Sequence, residues 1–374
     1  MTLLSLKHEV ERLSNILAKA EDCLDLQELS ARIQKLDQLI IQPHFWENPE
    51  PAYQTLQEIE YIIYYRQKQY QQWRSTLEDI KVALELVEIS ADEQLLQEAK
   101  TNLAQLQKEL ETADIRQLLS EPYDKKGALL SITAESHDAN AQKWLYTLFQ
   151  IYYNWAKKQN YHITPIEESC GNGGIISASW EITGRYAYGC LKSELGIHQL
   201  QRILPFDTSG NLQISLARVE VFPILDESSE LEIPQKHLEI ALPRNQGNRN
   251  RAEVWVRVVH LPTRITVFCE YERSQLANKK KAFDVLKSKL AAIALAQGVN
   301  SIAEIQPQRI KDLSNNIIRE YILHPYTQVK DLRTNAETTA VTEVFNGEIN
   351  LFIKAYLQQN VRTSYHFTKN LIPM

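Results

Sequence analysis

A basic segment between Leu238 and Leu290 holds the residues whose types and spacing could do chemistry. From Arg244 to Lys289 there are six Arg and five Lys but only four acidic residues, a net charge of about +7 in a chain whose overall charge is -6. Clustered guanidinium and ammonium groups bind phosphates. A basic island in an acidic protein therefore indicates nucleic-acid binding, and we expect RNA to be the partner.

The candidate RNA contacts lie in the loop 243–251, in a polar turn further along, and on one face of the helix that follows. They are Arg244, Arg249, Arg251, Arg273, Gln275, Lys279, Lys280 and Lys287. The competing interpretation is that these side chains are only solvated surface charges. The lysine run adjoins both an arginine-rich loop and a polar turn, which favours the RNA-binding interpretation.

Two strands and a helix must position these side chains. Alternation of Val254, Val256 and Val258, and then of Ile265 and Val267, predicts two half-buried strands. A helix is predicted from residue 274 through residue 290 and on to residue 296. Its apolar face is Ala282, Val285, Leu286 and Leu290, and the lysines expected opposite are Lys279, Lys280, Lys281, Lys287 and Lys289.

Residues 1 to 118 have the apolar spacing of packed helices. The seams are Leu6, Val10, Leu13, Leu17 and Leu24; Leu29, Ile33, Leu36 and Ile40; Leu56, Ile59, Ile63, Tyr70, Trp73, Leu77, Ile80, Leu84 and Val87; and Leu95, Ala99, Leu103, Leu106 and Leu110. Narrow stripes of this kind are typical of antiparallel coiled coils. We expect a helical hairpin that is structural or that binds a protein partner.

Beyond residue 119 the pattern changes to mixed strands and helices. Strands are predicted at 128–132, 175–182 and 216–223, with a helix at 140–159 and a last helix near 349–358. The strict strand–helix alternation of a doubly wound sheet is absent, so the fold class is α+β and multidomain. Residues 359–374 are polar and aperiodic, and we expect them to form a loose tail.

Several classes of function find no support in the sequence. There is no Walker loop, no HExxH motif, no dinucleotide-binding glycine pattern and no nucleophile elbow. The four cysteines form no CxxC pair, which favours a reducing compartment and argues against a zinc site. We therefore expect neither a metal nor another cofactor.

The sequence also bears on location. No apolar run is long enough to cross a bilayer, so no membrane association is expected. The chain enters its helical pattern at once, which predicts that neither a signal peptide nor a transit peptide is present. The expected locations are the plastid stroma, as a mature form, or the bacterial cytoplasm.

Short motifs spread over nearly the whole chain resemble the bacterial peptide chain release factor 2 family, and most closely its cyanobacterial and plastid branch. They are Phe45-Trp-Glu-Asn48, Pro122-Tyr-Asp124, Gly184-Arg-Tyr-Ala-Tyr-Gly189, Lys192-Ser-Glu194, Gly196-x-His198, Arg202, Pro205-Phe206, Val221-x-Pro223, Val258-x-His260-x-Pro262-Thr263, Glu272-Arg-Ser-Gln275, Asn278-Lys279, His324-Pro-Tyr326 and Val329-Lys-Asp-Leu-Arg-Thr334. The run Asn250-Arg251-x-Glu253 also fits. Asn250 from this run and Asn278 from the Asn278-Lys279 motif join the candidate RNA contacts.

The resemblance implies a domain plan. It predicts an N-terminal helical domain at 1–118, a codon-reading α+β superdomain split into 119–234 and 301–358, and a small α+β tip domain inserted at 235–300. The tail would be 359–374. The implied activity is stop-codon-dependent hydrolysis of peptidyl-tRNA on the ribosome.

The sequence departs from the family where the resemblance places the catalytic tripeptide. Family members carry Gly-Gly-Gln in the tip loop, where the glycines permit backbone geometry closed to other residues and the Gln orients water and stabilises the oxyanion. Here the loop reads Arg244-Asn-Gln-Gly-Asn-Arg-Asn-Arg251, and its only glutamine is Gln246. Gln246 is the one weak candidate for a catalytic role.

The expected codon-reading residues differ as well. The family's Ser-Pro-Phe is Leu204-Pro205-Phe206 here, and Ile214 stands where a threonine hydroxyl is expected, beside Gln213. Hydroxyl groups can donate and accept hydrogen bonds, whereas aliphatic side chains cannot. Losing them removes discrimination, since an unmet hydrogen bond is what rejects a wrong base.

These departures favour a release-factor-like protein that binds RNA or the ribosome without hydrolysing peptidyl-tRNA. One version occupies the ribosomal A site. Another binds and protects an organellar transcript. The alternatives are a working termination factor for UGA and UAA, and an interaction protein that recruits a partner through its coiled coil.

Overall fold

The computed structural model describes the chain in segments. They are residues 3–23, 34–36, 38–41, 45, 52, 55–56, 68–90, 92–119, 121, 123–171, 174–203, 211–225, 233–243, 254–299, 302–305 and 316–369. The chain divides into two compact units, residues 1–114 and 115–374, and each is described by itself. No helix among the described segments is long and apolar enough to cross a membrane.

Among its described residues, the N-terminal unit has three long helices, α1 (Leu3–Cys23), α2 (Gln69–Ser90) and α3 (Glu93–Gln117). Most of the predicted seam residues on these helices are buried together in one core, so the coiled-coil packing is confirmed there. Leu56 is exposed, against the prediction, and Leu24, Leu29, Ile33, Ile59 and Ile63 lie outside the described residues. The predicted hairpin is α2 with α3, and α1 adds a third helix to it. Trp73 Nε1 donates to Glu109 Oε2 at 2.8 Å between α2 and α3, and Asp92 accepts from backbone N–H groups at the start of α3.

An eight-stranded sheet forms the centre of the second unit. Its strands are β1 (Ala128–Ala134), β2 (His162–Gly171), β3 (Gly174–Thr183), β4 (Gly196–Ile203), β5 (Leu212–Pro223), β9 (Ile317–Ile322), β10 (Gln328–Asp331) and β11 (Glu337–Thr338), in the order β11-β10-β9-β4-β5-β1-β3-β2. All neighbours are antiparallel except β4 and β9, which are parallel. The predicted strands at 128–132, 175–182 and 216–223 are confirmed within β1, β3 and β5.

Helix α4 (Ala139–Lys158) covers this sheet, as its apolar spacing predicts. Trp144, Leu148, Tyr152 and Trp155 are all buried against the strands. The Asp138 carboxylate accepts from the backbone N–H groups of the first turn at 2.8 and 2.9 Å and so caps the helix. A short helix α5 (Ala187–Leu191) and a 3₁₀ turn (Lys192–Glu194) then lead into β4.

A smaller three-stranded antiparallel sheet lies between β5 and β9 in the chain. It consists of β6 (Leu238–Ala241), β7 (Val256–His260) and β8 (Ile265–Cys269), followed by helix α6 (Gln275–Gln297). This confirms the two predicted strands and the helix, whose predicted end at residue 296 is within one residue of the observed end. We call this substructure the tip. Its boundaries at 235 and 300, like the other domain boundaries, stay predictions.

The C-terminal segment corrects one prediction. After a short helix α7 (Val341–Phe345), helix α8 spans Asn350–Lys369. The loose tail predicted from residue 359 is therefore wrong up to residue 369. The segment holds no Gly, and no Pro before Pro373, so helical hydrogen bonding continues although the apolar periodicity fades.

A buried ionic cluster joins β9 to β4 and β10. Arg319 is completely buried and donates to both carboxylate oxygens of Glu194, the longer bond being 2.9 Å, and to Asp331 Oδ2 at 3.1 Å. Burial opposes ionisation of Asp331, but the hydrogen bond from Arg333 and the charge of Arg319 outweigh it and hold the pKa of Asp331 at about 2.

His198 on β4 extends this cluster as a neutral group. Its Nε2 lies 3.0 Å from the Glu194 carbonyl oxygen, and its Nδ1 lies 3.4 Å from the Tyr321 hydroxyl. Burial, with the charge of Arg319, lowers the pKa of His198 to about 4. The imidazole is therefore uncharged at neutral pH and serves as a hydrogen-bonding spacer between strands.

Replacing Arg319 by Met should destabilise the protein by about 3–5 kcal/mol, because Glu194 and Asp331 are left as uncompensated buried charges. Urea unfolding monitored by circular dichroism measures the change. The matched control is Lys330→Ala, since Lys330 pairs with Glu337 at 3.6 Å on the exposed side of neighbouring β10. That change should cost at most about 1 kcal/mol. Equal effects of the two substitutions would contradict the importance of the buried cluster.

Candidate nucleic-acid interface

The helix of the tip starts at a well-defined cap. Ser274 Oγ accepts from the Ala277 N–H at 3.1 Å. Asn278 is completely buried, donates through Nδ2 to the Val254 and Glu272 carbonyl oxygens at 2.8 and 3.2 Å, and accepts from the Glu272 N–H at 3.0 Å. The assignment of Asn278 as an RNA contact is therefore wrong, because its polar atoms already fasten α6 to the ends of β7 and β8.

Five of the predicted RNA contacts do lie at the surface. Arg273, Gln275, Lys279 and Lys280 are exposed, and Lys287 is half-exposed. The apolar face of α6 behaves as predicted, since Ala282, Val285, Leu286 and Leu290 are buried. The side chains of the α6 N-terminal half thus present a basic surface away from the small sheet.

Two lysines of α6 do not belong to that surface. Lys281 forms an ion pair with Glu181 on β3, and Lys289 Nζ lies 5.6 Å from the ring centroid of Phe222 on β5. The expectation that all five lysines of α6 lie opposite its apolar face is therefore wrong. Both side chains face the large sheet, which the tip also contacts through a core shared with Leu129, Ile166 and Phe222.

Several predicted site residues lie outside the described residues. In the tip loop these are Arg244, Gln246, Arg249, Asn250 and Arg251; in the loop after β4 they are Leu204, Pro205 and Phe206. The described strands place the ends of both loops. The tip loop spans from Pro243, after β6, to Val254, before β7, and the other loop joins β4 to β5.

The remaining codon-reading candidates lie on β5 beside that second loop. Gln213 is paired with Arg202 and Ile214 with Gln201 in the β4–β5 register. Ile214 is 54% exposed, so an aliphatic side chain meets solvent where the family resemblance implies a hydroxyl. Gln213 is half-buried, and its Oε1 finds no hydrogen-bond partner within the described part of the chain.

An open groove of about 550 Å³ lies next to these strands, between the first turns of α4, the β2–β3 hairpin and Arg202. Gln142 Oε1 and Arg202 Nε line it, and both are buried without a partner among the described residues. Lys143 and the exposed Tyr146 form its outer wall. Gln142, Lys143 and Tyr146 are far from Arg202 in the sequence, so no spacing pattern predicts that they line one groove with it.

The chain matches known protein families over most of its length. Residues 29–219 match the PCRF domain and residues 226–333 match the RF-1 domain. The chain is 38% identical over 362 residues to the chloroplastic peptide chain release factor PrfB1 of Arabidopsis thaliana, covering 95% of this chain and 79% of that protein. It is 35% identical over 370 residues to peptide chain release factor 2 of Chloroflexus aggregans, covering 97% of this chain and 100% of that protein.

The chain belongs to the peptide chain release factor 2 family. A solved structure agrees: release factor 2 of Thermus thermophilus matches with a TM-score of 0.62 and 27% identity over 92% of this chain and 99% of that one. The predicted family and the α+β multidomain fold class are thereby confirmed. Within this release factor 2 homologue, the RF-1 match begins before the tip and ends at Arg333 in the buried cluster.

Replacing Arg244, Arg249 and Arg251 of this homologue together by Ala should weaken RNA binding and flatten its salt dependence. For single strands, each phosphate that the protein no longer neutralises lowers the slope of log affinity against log salt by about 0.7, so the triple change should lower it by up to about 2. Titration of labelled RNA at several salt concentrations measures both quantities.

The control removes three positive charges elsewhere, by Lys7→Ala, Lys81→Ala and Lys108→Ala on the N-terminal helices. These side chains are exposed or half-exposed. The control should leave affinity and slope near their original values. If the loop variant behaves like the control, the loop arginines do not contact RNA.

Proposed function

We propose that this release factor 2 homologue binds RNA through its basic tip and does not hydrolyse peptidyl-tRNA. The observation that carries the proposal is the tip loop itself, where Arg244-Asn-Gln-Gly-Asn-Arg-Asn-Arg251 contains no Gly-Gly-Gln. A lone glycine after Gln246 does not supply the paired backbone freedom that brings the glutamine against the ester. The basic surface beside the loop persists through Arg273, Lys279 and Lys280.

The codon-reading side supports the same proposal. The reading side has lost its expected hydroxyls at Leu204 and Ile214, and the tip loop lacks the tripeptide, while the described strands β4 and β5 keep a regular register. Retention of a scaffold together with change at its two functional loops is the pattern of a new role. The proposed RNA is either ribosomal RNA in the A site or a transcript that the protein protects, in a plastid or in the bacterial cytoplasm.

The alternative is a working factor that terminates translation. Curated relatives with 35–38% identity are named as release factors, and the fold match fits this alternative equally well. Gln246 would then orient water without the usual glycine pair. Sequencing of RNA crosslinked to the protein would separate ribosomal RNA from a single messenger RNA.

A protein partner for the N-terminal helices is a second candidate function. Val82, Leu86 and Ile89 on α2 are 54%, 49% and 86% exposed, and they recur at helical spacing on the side away from the core seam. An exposed apolar stripe of this kind marks an interaction surface. This function is compatible with RNA binding by the tip.

In a purified termination assay, the protein should release no peptide from ribosomes that carry a stop codon in the A site. The physical reason is that the loop lacks the geometry for productive entry into the peptidyl-transferase centre. The positive control is a relative with an intact tripeptide. Release at a rate close to that control would overturn the proposal, and its loss in Gln246→Ala would assign the catalytic role to Gln246.

Ribosome binding by the protein should not distinguish stop codons from sense codons, because Leu204 and Ile214 offer no hydrogen bonds to bases. Binding to ribosomes programmed with UGA or with a near-cognate sense codon measures this. The double variant Leu204→Ser, Ile214→Thr restores both hydroxyls and should bind the UGA complex more tightly than the sense complex. A tenfold preference in the unaltered protein, about 1.4 kcal/mol, would show that the present side chains suffice.

A further inference from the structure

A partly enclosed cavity of about 200 Å³ lies between the tip and the large sheet. On the side of the large sheet its wall includes Leu195 and Phe222, and on the side of the tip it includes Ile265, Ile293 and Ala296. Most of the lining is therefore apolar. The volume is below the roughly 300–1,000 Å³ of sites that take drug-sized molecules, so the cavity fits a small molecule.

Two side chains of opposite charge line the same cavity. Glu220 lies on β5 and Lys289 lies on α6, and both are half-buried. They form no ion pair with each other, and neither side chain forms a hydrogen bond or an ion pair with another residue in the described part of the chain. A charge that is partly removed from water is unfavourable unless it is paired. The cavity thus offers one anion and one cation to a ligand.

The surroundings of Lys289 leave its ammonium group available. Lys289 Nζ lies 5.6 Å from the ring centroid of Phe222, a contact that uses none of its three N–H donors in a hydrogen bond. Burial raises the pKa of Glu167 on β2, and the charge of Lys289 opposes this rise without forming an ion pair. Tyr188 also lines the cavity, and its hydroxyl stays neutral because burial raises its pKa.

An α-amino acid carries the groups that complement this lining: a carboxylate, an ammonium group and a side chain. We propose that the cavity binds a free α-amino acid with an apolar side chain of the size of leucine. Its carboxylate would pair with Lys289, its ammonium group with Glu220, and its side chain would fill the apolar part of the cavity.

The paired charges favour a zwitterion over other small amphiphiles. A fatty acid would bring a second anion against Glu220, and a simple amine would bring a second cation against Lys289. Because the wall belongs both to the large sheet and to the tip, the bound amino acid would join the two. The cavity is separate from the basic surface of α6, so this proposal does not depend on RNA binding.

The test uses ligand-observed NMR titrations of the full-length protein with three probes. They are L-leucine, L-leucinamide, which lacks the carboxylate, and isocaproate, which lacks the ammonium group. The variants are Glu220→Gln and Lys289→Met. The matched control is Lys287→Met, since Lys287 lies two residues away on α6 and does not line the cavity. Circular dichroism and urea unfolding verify that the variants are folded.

L-Leucine should bind the unaltered protein with a Kd of about 1 mM or tighter, as good contacts allow for so small a ligand. Glu220→Gln and Lys289→Met should each weaken leucine binding at least about tenfold, because each removes a charge-assisted hydrogen bond. Lys289→Met should leave the affinity for leucinamide unchanged, and Glu220→Gln should leave the affinity for isocaproate unchanged. Lys287→Met should bind leucine as the unaltered protein does.

A conservative variant separates a direct contact from a structural effect. Lys289→Arg keeps the positive charge and should retain most of the leucine binding that Lys289→Met loses. Hydrogen exchange should slow in the C-terminal half of α6 and in β5 when leucine is added, because the ligand would contact both.

Two results would overturn the proposal. One is the absence of binding by L-leucine, L-isoleucine, L-valine and L-phenylalanine at about 10 mM, tenfold above the expected Kd. The other is leucine binding that neither Glu220→Gln nor Lys289→Met weakens, which would place the amino acid elsewhere on the protein. Either result would leave the proposed RNA binding untouched, because that function is measured with other residues and another ligand.

Discussion

The burial of Arg319 between Glu194 and Asp331 is the constraint on which the second unit depends. A guanidinium removed from water must be paired, and the two carboxylates that pair with it come from separate parts of the chain. Glu194 precedes β4, Arg319 lies on β9 and Asp331 ends β10. The cluster can form only if the chain returns after the tip and places β9 beside β4. Gly196 permits this approach, because a Cβ there would lie 2.4 Å from Ile318 Cγ2.

The placement of the strands decides where the functional loops begin and end. With β4 held between β9 and β5, the end of β4 at Ile203 and the start of β5 at Leu212 lie at the same sheet end as Arg202 and the groove beside α4. The tip is tied to the sheet in a different way, through the shared apolar core and the ion pair between Lys281 and Glu181. Its basic residues consequently divide between a face that supports the tip and a face that meets solvent.

This division separates the side chains that hold the fold from those that meet solvent. The groups that hold the fold are buried, and altering any of them leaves an unpaired charge or an orphaned polar atom.

The sequence by itself determined the family, the fold class and most elements of the structure. Apolar spacing predicted the coiled-coil seams, helix α4 and the apolar face of α6, because burial selects the same periodicity wherever a helix packs on one side.

Tertiary structure alone decided which polar side chains meet solvent and which are held by other parts of the protein. The sequence predicts Asn278 to be an exposed polar contact, but its side chain is buried and hydrogen-bonds the backbone next to β7 and β8. The sequence predicts Lys281 and Lys289 to be solvated, but both side chains face the large sheet. Gln142 and Arg202 are far apart in the chain, and they line one groove only because α4 packs across β4. Periodicity records that a side chain is turned toward or away from its own element's core. It does not record which second surface approaches from the other side, and that approach determines the free charges and the orphaned polar atoms.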